Sequence, residues 1–314
     1  MTPAHFAPIE TERLQLVPLG TDDAEDIVTI LGDAEVSRHV PGLPHPYTPA
    51  MARAWLSDAR QRLLDGREFV FGCRSRADGG LVGIVKLALE QDAPAAELAF
   101  WVKRSFWGHG YGSEAARRMV VLALETLGLD KVWGVALDAN PASQRVLVKS
   151  GLSPGRAAEI DGRAAKFFEL DRADFVAEAT FPVLYVAAVA LIDDARQVLL
   201  AQRPPGKAMA GLWEFPGGKI ESGERPAGAL ARELAEELSV HVALADLEPF
   251  TIASHRYENF HLLMPLMTCR RWGGEPVGLE GQSLDWATMD TLADYAMPPA
   301  DEPLVADLRR LLVT

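Results

Sequence analysis

Apolar residues change their spacing several times along this chain, and each change marks an element. Arg13-Leu14-Gln15-Leu16-Val17 alternates and stops at Pro18, the pattern of a strand with one buried face. Thr21-Asp22-Asp23 supplies helix-capping side chains ahead of Ala24 to Leu31, and residues 50–65 repeat their apolar positions as an amphipathic helix does. Strands are predicted at about 68–74, 81–89 and 95–102, parted by the turns Ala77-Asp78-Gly79-Gly80 and Gln91-Asp92-Ala93-Pro94. A glycine-rich loop follows, then a helix at about 111–127, a strand at 131–138 and a short helix at 140–150. Lys166-Phe167-Phe168-Glu169-Leu170 is rich in β-formers and predicts a strand over 165–175.

A fresh apolar run then opens at Leu184 and continues to Ile192. It turns at Asp193-Asp194-Ala195-Arg196 and returns through Gln197 to Gln202 as a hairpin. The segment from Asp171 to Phe181 is the expected junction, with a boundary near 178. The chain thus divides into domains at 8–177 and 178–314. A length of 314 residues suits two domains better than one. No repeat or low-complexity tract interrupts the pattern.

Composition adds little to the fold and more to the partners. A net charge of −13 argues against a surface for nucleic-acid polymers, which would be basic. It leaves room for a nucleotide, whose charge a metal and a few cations can meet locally. Cys73 and Cys269 lie far apart and outside any metal-type spacing, so they read as buried thiols in a reducing compartment. The first six residues lack the basic start and apolar core of a signal peptide. The apolar run from Val183 to Ile192 is too short to span a membrane. The expected location is the cytoplasm, with no membrane partner.

The candidate chemistry concentrates between Gly218 and Val240. Glu233, Glu236 and Glu237 stand at i, i+3 and i+4, which puts three carboxylates on one face of a helix. Stacked like charges destabilise a helix unless a cation sits among them, and hard oxygen ligands suit Mg²⁺ or Mn²⁺. Pro216-Gly217-Gly218 allows a tight backbone loop beside them, Pro226 suits the first helical turn, and Arg232 adds a fixed cation. The bland alternative is a solvated acidic face, but glycine loop, helix start and carboxylate triplet occur here together and in order.

This segment resembles the Nudix box, G-x5-E-x7-R-E-U-x-E-E-x-G-U, through Gly218, Glu224, Arg232, Glu233, Leu234, Glu236, Glu237 and Val240. Ser239 departs from it, standing where the family has glycine. Trp213-Glu214-Phe215-Pro216-Gly217-Gly218-Lys219, Arg270 to Pro276, Gly278 to Gln282, and Met297 to Pro303 extend the likeness to the MutT-type branch, which hydrolyses oxidised nucleoside triphosphates. The resemblance implies an α/β/α sandwich over roughly 182–313. In it Gly217 (by its carbonyl), Glu233, Glu236, Glu237 and Glu280 hold the metal, with Glu236, Glu237 or Glu280 acting in the chemistry. Lys219 and Arg203 contact the phosphates or the bound nucleotide, and Asp301 reads the base. Glu224 braces the loop, and Arg232 orients carboxylates. Asp301 has a plainer reading too, as a cap on the helix that follows.

In the first half, Trp107-Gly108-His109-Gly110-Tyr111-Gly112 leads into a helix, where backbone N–H groups and the helix dipole can receive a pyrophosphate. Alone, such a loop is more often a turn. Together with Thr11-Glu12-Arg13-Leu14, Asn140-Pro141-Ala142-Ser143 and the residues to Leu152, it resembles the GNAT acetyltransferases, and among them the branch acting on ribosomal-protein N-termini. The resemblance implies a mixed, splayed sheet with acetyl-CoA in the splay. Gly108, Gly110 and Gly112 supply the pyrophosphate amides, and Asn140 and Ser143 lie by the pantetheine arm and thiol. Ser143 serves as an acid near the thiol and Glu97 relays a proton from the amine; a helix cap and an exposed strand residue are their plain alternatives.

The expected protein is therefore of α/β and α+β class and bifunctional. An acetyl-CoA-dependent N-acetyltransferase of unidentified amine acceptor precedes a Mg²⁺-dependent nucleoside triphosphate pyrophosphohydrolase, with 8-oxo-dGTP as the leading substrate. The alternatives are another nucleotide for the second half and an acyl-CoA-binding module without turnover for the first.

Overall fold

The computed structural model describes residues 6–40, 42–176 and 181–313. Two compact units emerge, Pro8–Thr180 and Phe181–Thr314, with residues 6 and 7 counted to the second. The boundary expected near 178 lies outside the described residues.

The first unit is one eight-stranded sheet. Its strands are β1 (Ile9–Glu10), β2 (Leu14–Pro18), β3 (Glu68–Ser75), β4 (Leu81–Leu89), β5 (Ala95–Val102), β6 (Lys131–Leu137), β7 (Ser153–Ile160) and β8 (Arg163–Asp171), in the order β1-β2-β3-β4-β5-β6-β8-β7. Alternation in β2 buries Leu14 and Leu16 and leaves Gln15 half-buried. All neighbours are antiparallel except β5 and β6. That parallel pair is in register only over Ala95 to Glu97 against Lys131 to Trp133. Beyond it β5 keeps its bonds to β4 and β6 keeps its bonds to β8, so the two strands part and open a wedge in the sheet.

Helices cover both faces. Ile27 and Ile30 of α1 (Ala24–Leu31), Val36 of α2 (Ala34–Ser37) and Leu56 of α3 (Pro49–Leu64) pack with Val70, Ile84 and Trp101. Val102 points the other way from Trp101, toward Gly112 of α4 (Tyr111–Val121), and α5 (Pro141–Lys149) packs on β6. The predicted helix over 111–127 is α4 followed by a wider turn at Leu122–Thr126. β7 escapes prediction because it is an exposed edge whose residues show no apolar alternation.

The second unit has two sheets. One runs β12 (Gly217–Lys219), β9 (Val183–Leu191), β14 (His261–Cys269), β13 (Glu248–Arg256); the other runs β11 (Trp213–Glu214), β10 (Val198–Gln202), β15 (Ser283–Ala287). The continuous apolar run of β9 is explained by its place at the centre of the unit. Ala187, Val189 and Leu191 face Leu230, Leu234 and Leu238 of α6 (Pro226–Leu238), while Ala188 and Ala190 belong to the core that holds Leu304 and Leu308 of α7 (Glu302–Val313). A strand buried on both faces has no polar alternate to show. This is the expected α/β/α sandwich.

Candidate active sites

The second unit contains a cleft of about 580 Å³. Its wall combines charged and loop residues, among them Glu233, Glu237, Glu280, Gly217, Gly218, Lys219, Arg203 and Lys207, with the apolar Leu184, Val186, Phe260, Leu262 and Met264. Asp301 lines the same cleft.

Two of these carboxylates, Glu233 and Glu237, stand on α6. Its leucines at 230, 234 and 238 anchor one face, which leaves Glu233 and Glu237 on the side toward β12. β12 lies so close that a Cβ on Gly218 would fall 2.1 Å from the Glu233 carboxyl carbon, and one on Gly217 would fall 2.0 Å from the Ala187 carbonyl oxygen. The backbone excludes a side chain at Gly217, and one at Gly218 would displace the Glu233 carboxylate. Arg232 donates from Nε and Nη2 to the two oxygens of Glu224 at 2.9 and 2.8 Å, and from Nη1 to Glu233 at 2.8 Å. Glu224 also accepts from the Glu221 N–H at 2.9 Å, and together these hydrogen bonds hold its carboxyl below the usual range. Arg232 therefore ties the loop before the helix to the helix itself.

Glu236 stands apart. It is exposed, 3.5 Å from Arg232 Nη1, and does not line the cleft. Glu237 is the reverse case: burial, followed by the nearby carboxylates of Glu280 and Glu233, pushes it up to about 7. Among the described residues no three acidic, His or Cys side chains already surround a point where a metal would sit. Glu233 is held by Arg232 and Glu280 by Lys207. The donor set is nevertheless all oxygen, and the repulsion that Lys207 only partly offsets at Glu237 is of the kind a hard divalent cation removes. The residues present fit Mg²⁺ or Mn²⁺.

Asp301 is 4% exposed, and its Oδ1 accepts from the Phe215 N–H at 3.3 Å. Burial, then the charge of Glu214, pushes its carboxyl up to about 8, so the acid is neutral at pH 7. Glu214 is itself raised by burial, against the pull of its partner Arg203, which also donates to the Ala208 carbonyl at 2.6 Å. At the far end of α6, Ser239 adopts φ +59°. The family's glycine at this position has its reason there, since a left-handed residue with a Cβ is strained.

The first unit carries its own cleft, of about 570 Å³, in the wedge between β5 and β6. Phe100, Trp101 and Val102 wall one side and Asn140 to Ser143 the other, with Gly108, Gly110 and Gly112 between them. Gly108 and Gly110 adopt φ +80° and +84°, and Gly110 is the cap residue just before α4. The Thr11-Glu12-Arg13 segment braces this loop. Arg13 donates to the His109 carbonyl at 2.9 Å and to Glu114 through Nε at 2.8 Å, and Thr11 Oγ1 donates to Glu114 at 2.6 Å. Burial raises the Glu114 carboxyl, but these hydrogen bonds outweigh it and hold the group below its usual range.

Asn140 caps α5 by accepting the Ser143 N–H at 3.1 Å, while its Nδ2 donates to Ser143 Oγ at 2.8 Å. Both residues line the cleft. Glu97 does not: it lies where β5 and β6 are still paired, opposite Trp133. Sequence reasoning passed over Lys207 and Glu214 in one cleft, and His39, Phe100 and Trp101 in the other. A loop lysine and strand aromatics carry no pattern of their own; only Glu214, beside Pro216-Gly217-Gly218, had a signal in its setting.

Comparison with known proteins divides the chain in the same way. Residues 13–153 match the acetyltransferase (GNAT) domain family, and residues 187–307 match the NUDIX domain family. The 8-oxo-dGTP diphosphatase of Escherichia coli is 35% identical over 41% of this chain and 98% of its own length. The CTP pyrophosphohydrolase of the same organism is 36% identical over 37% of this chain and 84% of its own. For the first half, an FsC-acetyl coenzyme A-N(2)-transacetylase of Aspergillus fumigatus is 33% identical over 46% of this chain and 64% of its own length. The chain belongs to two enzyme families at once, a GNAT acetyltransferase domain followed by a MutT-type Nudix hydrolase domain.

Proposed function

We propose that the Nudix half hydrolyses 8-oxo-dGTP to 8-oxo-dGMP and pyrophosphate with Mg²⁺, and that the GNAT half moves the acetyl group of acetyl-CoA to an amine, both in the cytoplasm. The observation that carries the first proposal is that one cleft brings together the carboxylates of Glu233, Glu237 and Glu280, a set of apolar residues, and Asp301.

Glu233, Glu237, Glu280 and the Gly217 carbonyl would hold the metal, and Glu236, exposed and outside the cleft wall, would have to turn from Arg232 to join them. Bound there, the ion offsets phosphate charge and acidifies an attacking water. Arg203 and Lys219 orient the nucleotide, and Arg232 keeps Glu233 in place. Glu237 or Glu280 takes the water's proton, and water adds in line with the departing oxygen. A neutral Asp301 offers one O–H donor and one acceptor, as an asparagine does, whereas an ionised one only accepts. That suits a base edge carrying both donors and acceptors, such as guanine's.

In the GNAT half the amides of Gly108, Gly110 and Gly112 would bind the pyrophosphate of acetyl-CoA at the start of α4. Ser143, already in contact with Asn140, would serve the departing thiolate. Glu97 would act on the amine only through intervening water, because it lies outside the cleft wall.

The test is pyrophosphate release from 8-oxo-dGTP, dGTP and CTP with Mg²⁺. A strong preference for 8-oxo-dGTP is expected. Preference for CTP, the substrate in the name of one relative, would move the assignment to that nucleotide and make Asp301 the first residue to examine.

A further inference from the structure

One charged contact in the Nudix cleft has no part in the scheme above. Lys207 lies in the exposed loop between β10 and β11, and its Nζ pairs with Glu280 in the loop ahead of β15. Both side chains line the cleft, and Glu237 of α6 also feels the lysine's charge. Glu233 and Glu280 are thus served by two very different cations. Arg232 is pinned, donating to Glu224, Glu233 and the Lys219 carbonyl. Lys207 meets Glu280 with side-chain exposures of 51% and 46%, so water screens the pair and exchanging it costs little. An ammonium on a four-carbon stem is also free to change partners in a way a forked guanidinium is not.

We propose that Lys207 is an exchangeable counter-ion. Without metal it neutralises Glu280; when metal and triphosphate enter, Glu280 turns to the metal and the Lys207 ammonium turns to phosphate oxygens. The inference rests on the triphosphate reading above. Its logic is charge balance: the cleft carries excess negative charge both before and after the substrate arrives, and one lysine on the rim serves both states. Removing that lysine therefore has effects of opposite sign. Glu280 is released for the metal, while the triphosphate loses a cation. A lysine that merely braced the loop would, when removed, weaken both.

The experiment uses full-length protein with Lys207→Met and Lys207→Arg. Mn²⁺ binding to nucleotide-free protein is read from the electron paramagnetic resonance of the free ion. KM and kcat are read at saturating metal for the triphosphate the wild type hydrolyses. Lys207→Met is expected to bind Mn²⁺ about three- to tenfold more tightly and to raise KM about tenfold, with kcat within about threefold. Lys207→Arg should restore KM. In a Glu280→Gln background, Lys207→Met should no longer alter Mn²⁺ affinity. Weaker or unchanged Mn²⁺ binding in Lys207→Met, or an unchanged KM, overturns the exchange. If the wild type hydrolyses no triphosphate, the parent reading fails, and the Mn²⁺ measurements still decide whether Lys207 competes for Glu280.

Discussion

The two clefts are nearly equal in volume but opposite in construction. The Nudix cleft is made of side-chain charge: carboxylates on a helix, a strand and loops, with Arg203, Lys207 and Lys219 in the same wall. The GNAT cleft joins a glycine loop and aromatic walls to the cations Arg38, Arg145 and Lys149, and no carboxylate lines it among the described residues. Its glycine loop is the proposed anion site, and the cleft opens where β5 and β6 separate. One cleft gathers carboxylates, and the other gathers cations around a glycine loop and holds no carboxylate among the described residues. Their sensitivity to mutation should differ accordingly.

The sharpest break in that comparison is Glu237→Gln. Pyrophosphate release should fall about a thousandfold, about 4 kcal/mol of transition-state stabilisation, while acetyl transfer persists as evidence of folding. Activity within tenfold of wild type would mean that the helix carboxylates do not form the site.

Next is Asp301, neutral to about pH 8. The wild-type kcat/KM should fall toward tenfold per pH unit above that value as the O–H donor is lost, and Asp301→Asn should remove this limb. Stability gives an independent check. The unfolded acid loses its proton near 3.8 and the folded one only near 8. Between these values the unfolded chain binds fewer protons, so this residue's contribution declines as pH rises, by at most about 1.4 kcal/mol per unit, and levels off above pH 8. The Tm advantage of Asp301→Asn should grow from pH 5 to pH 8; a constant difference would show that burial does not hold the proton.

On the GNAT side, Gly110→Ala places a Cβ at φ +84° and moves the first amide of α4. Coenzyme A affinity, measured by calorimetry, should weaken about tenfold with hydrolysis unaffected. The smallest effect is expected at Ser239→Gly, which relieves φ +59° and should stabilise the Nudix unit by about 1 kcal/mol in urea denaturation, without changing kcat.

Much of this molecule was legible from local pattern. The i, i+3, i+4 glutamates, the glycine loops and the alternation of β2 act over a few residues, where helix pitch and strand pleat determine what faces what. Both families followed from such short segments. Failures came where no local period exists: β7 is an exposed edge, and the glutamate spacing could not say that Glu236 turns to Arg232 and solvent while Glu237 is half-buried in the cleft.

The chain's sequence by itself determined which residue types could meet a metal, a pyrophosphate and a base. Only the tertiary structure decided their states. Burial among distant segments keeps Asp301 neutral, since desolvation belongs to the surroundings and not to the residue. Separated loops bring Lys207 to Glu280, 73 residues away, because opposite charges select partners through space. And the short register between β5 and β6 opens the cleft of the GNAT half, a length of pairing that no side-chain pattern records.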